Sequence, residues 1–184
     1  MTSTEVSTPH RSPRLALIIL SWNSPEDVLE CVESLTHSHI LENVGIKVII
    51  VDNGSNEATR EVVSKIPETT YVQTGKNLGF GGGNNVGIRR ALEQGFEYVM
   101  LLNQDTIVDP NCFNALLKAI ERDQTIGIAG PLIYDYHDRD KLIFAGGKLN
   151  WLKTKGKHQT AISNYSSSEA KRSREVVLDK LEPY

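Results

Sequence analysis

Hydrophobic residues come in blocks along this chain, and each block stops at a cluster of small or polar residues. Leu15 to Leu20 is one such run and closes on Ser21-Trp22-Asn23; Ile46 to Val51 is another and closes on Asp52-Asn53-Gly54-Ser55. Tyr71-Val72-Gln73 makes a shorter candidate, and Tyr98 to Leu102 leads straight into Asn103-Gln104-Asp105-Thr106. Such runs read as strands buried on both faces. Helical spacing fills the gaps. Ser24-Pro25-Glu26-Asp27 offers an N-cap, a proline at the first helical position and an acidic first turn, ahead of a stripe of Val28, Cys31, Val32 and Leu35. Further helices are predicted over about 56–65, 83–94 and 110–122, the last capped by Asp109 and turning Phe113, Leu116, Leu117 and Ile120 inward. Strands alternating with helices predict an α/β fold with a three-layer, mostly parallel sheet.

Past Pro131 the rhythm breaks. Ile126 to Ala129 reads as a strand before the Gly130-Pro131 turn, Leu142 to Ala145 as a last strand, and Gly146-Gly147 as a turn. Lys153, Lys155 and Lys157 make a basic loop, for which a solvated surface is the commoner reading. Ser163 to Arg174 has few apolar residues and is expected to be mobile, while Glu175 to Leu181 fits a strand or one helical turn. The Ser/Thr-rich opening lacks the apolar segment of a signal peptide and reads as a loose leader. The expected organisation is therefore a flexible leader over 1–14, a ligand-binding domain over 15–160 and a polar tail over 161–184.

Charge and cysteine content narrow the setting. A net charge of -3 at pH 7 gives no basic footprint for a nucleic-acid partner. No apolar run approaches the roughly 20 residues that span a bilayer. Cys31 and Cys112 both fall within helical patterns and read as reduced packing residues of a cytoplasmic protein.

In an open parallel sheet, ligands bind outside the carboxyl ends of the strands. The clusters Ser21–Asn23, Asp52–Ser55, Asn77–Asn84 and Asn103–Thr106 would all gather along that edge and form a binding crevice. A carboxylate placed there, Asp105, suits a hard divalent cation carrying phosphate oxygens. Helix opening explains Asp109 but not the Asn103 and Asp105 ahead of it. The glycines and asparagines of residues 77–87 point to positive φ or close approach, and the helix that starts there presents an anion-binding end. Other chemistries fit less well. Gly81, Gly83 and Gly87, with Asp105 as a ribose-binding acid, make a relaxed dinucleotide fingerprint, as in a nicotinamide-dependent oxidoreductase, but the third glycine is misplaced. His37 and His39 read as surface residues at a helix end, and His137 and His158 have no partner pattern. Ser21 and Ser55 lack an evident base for a nucleophilic triad.

Taken together, Ser21-Trp22-Asn23, Val51-Asp52-Asn53-Gly54-Ser55, Asn77-Leu78-Gly79-Phe80-Gly81-Gly82-Gly83-Asn84-Asn85-Val86-Gly87 and Leu101-Leu102-Asn103-Gln104-Asp105-Thr106 resemble the motifs of family 2 glycosyltransferases of the GT-A fold. The rhamnosyltransferase-like bacterial subgroup is the nearest match, and the likeness runs from about Leu15 to Trp151. It implies a Rossmann-like nucleotide-sugar-binding domain and inverting transfer from a nucleoside-diphosphate sugar, such as dTDP-rhamnose or a UDP-sugar. The acceptor would be a glycan or lipid-linked glycan in cell-surface polysaccharide synthesis. Mg2+ or Mn2+ would bridge the diphosphate, and the protein would work in the cytoplasm or at the inner face of the membrane.

Position by position, the resemblance has Ser21, Trp22, Asn23, Asp52 and Asn53 contact the nucleotide, with the Asp52 carboxylate accepting from the base. Asn77, Gly79, Gly83 and Asn84 would line nucleotide and sugar. Asn103-Gln104-Asp105 stands where the family has an acid-any-acid motif, so Asp105 is the expected metal ligand and Asn103 replaces the first acid. No acidic motif follows that matches the family's general base. The chain is therefore expected to be the donor-binding half of such an enzyme, lacking the acceptor half, or else a non-catalytic nucleotide-sugar-binding module.

Overall fold

The computed structural model describes residues 14–38, 45–150, 155–158 and 177–178, with backbone alone from 147 onward. The expected leader, His39, Lys153 and the polar stretch over 163–174 lie outside these residues. The chain divides into two units, the first ending at Val108 and the second running from Asp109 and taking in Ser38.

The first unit alternates as the apolar blocks predict: β1 (Leu15–Ser21), α1 (Pro25–Thr36), β2 (Ile46–Asp52), α2 (Glu57–Val63), β3 (Thr69–Gln73), α3 (Gly79–Glu93) and β4 (Tyr98–Asn103). The strands form one parallel sheet in the order β3-β2-β1-β4. Register makes their ends level. Ser21 pairs with Asp52, Asp52 with Gln73, and Leu20 with Asn103, so the chain leaves β1, β2, β3 and β4 at one edge.

Alternate residues face opposite sides of the sheet. Ala16 and Ile18 of β1, with Ile49 and Val51 of β2, pack with Ala91 and Phe96 into one buried cluster beneath α3. Leu17, Ile19 and Ile50 point the other way and are equally buried, on the side where α1 and α2 lie against β1, β2 and each other. That is helix on sheet on helix.

Local chemistry explains where the helices differ from expectation. Asn56 caps α2, its Oδ1 accepting the Thr59 N–H at 2.9 Å. Ser24 precedes α1, but its hydroxyl donates to the Asp27 carboxylate and makes no cap bond. Helix α3 begins at Gly79, four residues ahead of the predicted start at Gly83, because side chains satisfy the amides at its entrance: Asn53 Oδ1 accepts from Leu78 N–H and Asn77 Oδ1 from Gly79 N–H. Strand β4 is less enclosed than its apolar run suggests, with Leu101 44% exposed, since among the described residues it pairs only with β1.

The second unit comprises α4 (Cys112–Arg122), β5 (Ala129–Gly130), β6 (Ile133–Tyr134), β7 (Leu142–Phe144), β8 (Gly147–Asn150), β9 (Lys155–His158) and β10 (Val177–Leu178). Helix α4 starts two residues late, and Asp109 is not its cap: the Asp109 carboxylate accepts the Asn111 N–H at 2.9 Å and makes a turn before the helix. Phe113, Leu116 and Leu117 are buried as the stripe requires. The strand predicted over 126–129 shrinks to Ala129–Gly130, which pairs antiparallel with β10. Lys155 and Lys157 lie in β9, paired with β8, so the predicted loop is in part a hairpin strand.

Glycines in α3 are there for contact. A Cβ on Gly87 would come within 2.5 Å of Ile18 Cγ2, and one on Gly83 would meet Leu20 Cδ1, whereas one on Gly81 would meet no described residue. Gly87→Ala is therefore expected to destabilise the protein by about 1–3 kcal/mol through overpacking. Gly81→Ala should instead stabilise it by up to about 1 kcal/mol through helix propensity. Thermal unfolding of the two variants, giving opposite signs, is the check.

Candidate functional site

Four loops leave the level strand ends, and side chains of one loop satisfy the backbone of the next. Asn53, after β2, is nearly all spent in this way. Its Oδ1 accepts from Leu78 N–H at 2.9 Å, and its Nδ2 donates to Asn77 Oδ1 at 3.2 Å and to the Gly79 carbonyl at 3.3 Å. Gly54 follows at φ +76°, where a Cβ would strike the backbone of Lys76 and Asn77. The β2 and β3 loops are thus locked together.

On the other side, Gln104 grips the loop after β1. Its Oε1 accepts from Trp22 N–H at 2.7 Å and its Nε2 donates to the Trp22 carbonyl at 3.3 Å. Asn23, next in line, adopts φ +53°, a left-handed conformation that asparagine tolerates. The Asn23 N–H donates to Ser55 Oγ at 3.1 Å, and its Oδ1 accepts from Asn56 N–H at 2.8 Å.

Beneath these loops lies Asp52, with no exposed surface. Its Oδ1 accepts from Ser55 N–H at 2.8 Å and its Oδ2 from the Tyr71 hydroxyl at 2.6 Å. Burial, then the hydrogen bond to Asp52 and its charge, push the Tyr71 phenol far above its ordinary range. The carboxylate expected to meet a base is therefore enclosed and engaged on both oxygens.

A hollow of about 370 Å³ opens above, lined by Leu20, Trp22, Asn53, Asn77, Gly79, Phe80, Asn103, Gln104 and Asp105. Its size is within the usual range of small-molecule sites. Seven of these nine are residues the sequence singled out; Leu20 and Phe80 are the additions. Trp22 and Phe80 are large aromatics left 52% and 63% exposed. Ser21, Asp52, Gly83 and Asn84 are buried and do not line the hollow. Ser21 Oγ and Asn84 Oδ1 have no hydrogen-bond partner among the described residues.

Asn103 and Asp105 are both exposed and line the hollow, and neither side chain takes a hydrogen bond from a described residue. Among the described residues no group of three His, Cys, Asp or Glu could hold a metal by itself. A second hollow of about 360 Å³ lies over α2 and β3, lined by Glu57, Arg60, Glu61, Ser64, Tyr71 and Gln73.

The remaining candidates are structural. His37 Nδ1 sits 3.2 Å from the Glu33 carbonyl at the end of α1. Cys31 and Cys112 are free thiols, each pushed up to about 11, chiefly by burial. His137 donates its backbone N–H to Asp135, whose carboxyl is held below the usual range by its bond from Lys141.

Tyr71 and Phe80 escaped the sequence reading. Phe80 lies within the glycine-rich stretch over 77–87, where an aromatic amid glycines is the available signal. Tyr71 lies on the face of β3 that Asp52 occupies on β2, a neighbourhood set by a register the sequence does not display.

A family model described as Glycosyl transferase family 2 matches residues 16–177. The dTDP-rhamnosyl transferase RfbF of Shigella flexneri is 32% identical over 94 residues, covering 51% of this chain and 30% of that protein. The succinoglycan biosynthesis protein ExoO of Rhizobium meliloti is 28% identical over 117 residues, covering 62% and 31%. A mannosyltransferase from Pyrobaculum calidifontis, solved with GDP-Man and Mn2+, superposes with a TM-score of 0.56 at 18% identity, over 73% of this chain and 41% of its own. That last likeness is one of fold, and the chain spans well under half the length of each of these proteins.

The stitching of the loops is open to test at Asn53. Asn53→Asp keeps the acceptor for Leu78 N–H but sets a carboxylate oxygen against Asn77 Oδ1 and the Gly79 carbonyl. Loss of both donors is expected to lower stability by about 1–3 kcal/mol, measured by urea unfolding.

Proposed function

This chain belongs to glycosyl transferase family 2, and from that premise we propose that its hollow holds the nucleotide end of a nucleoside-diphosphate sugar. The glycosyl group would pass, with inversion, to an acceptor hydroxyl. The observation that carries this reading is convergence: four loops, distant along the chain, contribute Trp22, Asn53, Asn77, Gly79, Asn103 and Asp105 to one hollow at the level strand ends. Of the two donors the motifs suggest, dTDP-rhamnose and a UDP-sugar, the dTDP-rhamnosyl relative favours the first; the acceptor would be a glycan or lipid-linked glycan in cell-surface polysaccharide synthesis, in keeping with the succinoglycan biosynthesis relative. The reaction would take place in the cytoplasm or at the inner face of the membrane. No described helix is long and apolar enough to cross a membrane.

The residues present fit a divalent cation shared with the donor. Asp105 offers one carboxylate without a described protein partner, and Asn103 a neutral oxygen two residues earlier in sequence. Mg2+ and Mn2+ bind in this manner, through one or two carboxylates and the substrate's own phosphates. Bound there, the cation would offset the negative charge that builds on the leaving nucleoside diphosphate. The chain's own contributions are positional. The α3 entrance presents backbone amides from Phe80 onward, past the Gly79 N–H held by Asn77, toward an anion. Trp22 and Phe80 give apolar faces against which a ring can stack. Asp52 and Gln104 hold the loops that carry these groups. No residue of this chain is assigned as the base that deprotonates the acceptor.

Calorimetric titration of UDP and dTDP, with and without Mn2+, tests the proposal. Binding that strengthens with Mn2+ is expected in the unaltered protein. Asp105→Ala should remove that strengthening while leaving the unfolding midpoint in place, since an exposed carboxylate contributes little to packing. Equal binding by Asp105→Ala and the unaltered protein would defeat the metal role.

A further inference from the structure

We propose that Tyr71, which does not line the hollow, is a positioning residue for nucleotide binding, acting through Asp52 and Ser55 on the loop that carries Trp22 and Asn23. This rests on the reading of the hollow as a nucleotide site. Three contacts in series make the path. The Tyr71 hydroxyl donates to Asp52 Oδ2 at 2.6 Å, Asp52 Oδ1 accepts from Ser55 N–H at 2.8 Å, and Ser55 Oγ accepts from Asn23 N–H at 3.1 Å.

Asp52 has no exposed surface, so no water already in contact with it stands ready to replace a lost partner. A buried carboxylate oxygen without its donor is costly, and the nearest relief is movement of the loop that Asp52 holds. The Ser21 hydroxyl, buried on the neighbouring strand in register with Asp52, bonds to no described residue and is not among the partners of that carboxylate. Asn23 sits at φ +53°, outside the broad wells, and is kept there by Ser55 and Asn56. Release of Ser55 therefore frees the residue whose neighbour, Trp22, forms a wall of the hollow. Gln104 restrains Trp22 from the opposite side, so the loop is set by two grips and loses its single position when either fails.

Tyr71→Phe keeps the ring and removes only the donor; Ser55→Ala keeps the Asp52 contact and cuts the path one step later. Each is expected to weaken binding of UDP with Mn2+ by about tenfold, the scale of one unsatisfied buried group. Because both cut one path, the double variant should bind about as weakly as the weaker single variant, rather than a further tenfold worse. Amide hydrogen exchange supplies the second readout: in Tyr71→Phe the Ser55 and Asn23 amides should exchange faster, with those of β1 unchanged. Unchanged exchange at Ser55 and Asn23, or multiplicative losses in the double variant, would overturn the inference. If the unaltered protein bound neither UDP nor dTDP while the two amides still responded, the nucleotide reading would fall instead, and the exchange data would separate the two failures.

Discussion

Polar groups that emerge together from an apolar sheet have to satisfy one another, and this constraint shapes the whole upper edge of the first unit. Parallel pairing sets the ends of β1, β2 and β4 level, which delivers Ser21, Asp52 and Asn103 within one residue of the same height. Water reaches little of the β1–β2 part of this layer, since Ser21 and Asp52 have no exposed surface and Asn53 is 3% exposed. The loops above must therefore bend so that each amide finds an oxygen from a neighbouring loop. Asn53, Gln104 and the Ser55–Asn23 pair are the results of that requirement, and the hollow is the space the bent loops leave.

Residues of the recurring motifs consequently fall into two kinds. Asp52, Asn53 and Gln104 use their hydrogen-bonding capacity largely on the protein, whereas Asn103 and Asp105 face the hollow with theirs uncommitted among the described residues. A motif can thus serve a ligand by holding a loop as well as by touching the ligand. The glycines show the same division. Gly83 and Gly87 let α3 approach β1 closely, while Gly54 lets the β2 loop pass the backbone of Lys76 and Asn77.

Much of this architecture was legible in the residues, because buried parallel strands leave uninterrupted apolar runs and helices leave stripes. β1, β2, α1 and the stripe of α4 follow directly from those patterns. What escaped was set by contacts between distant segments. The early start of α3 depends on Asn53, a residue of another loop, so no local cap announced it. Asp109 looked like a cap because the Asp-Pro pair is a good one, yet its carboxylate closes the preceding turn. The β8–β9 pairing turned part of a basic loop into a strand despite glycine and lysine, which have little strand preference. The bonding of Asp52 to Tyr71 needed the β2–β3 register, which hydrophobic pattern alone does not fix.

The two thiols carry a practical consequence. With Cys31 buried, Cys112 half-buried and each thiol pushed up to about 11, neither yields much thiolate at neutral pH. These two cysteines therefore make a quiet background for alkylating dyes. A cysteine introduced on an exposed rim of the hollow would take up a maleimide label ahead of both, so a fluorescent reporter of loop position can be attached without first removing the native sulfur.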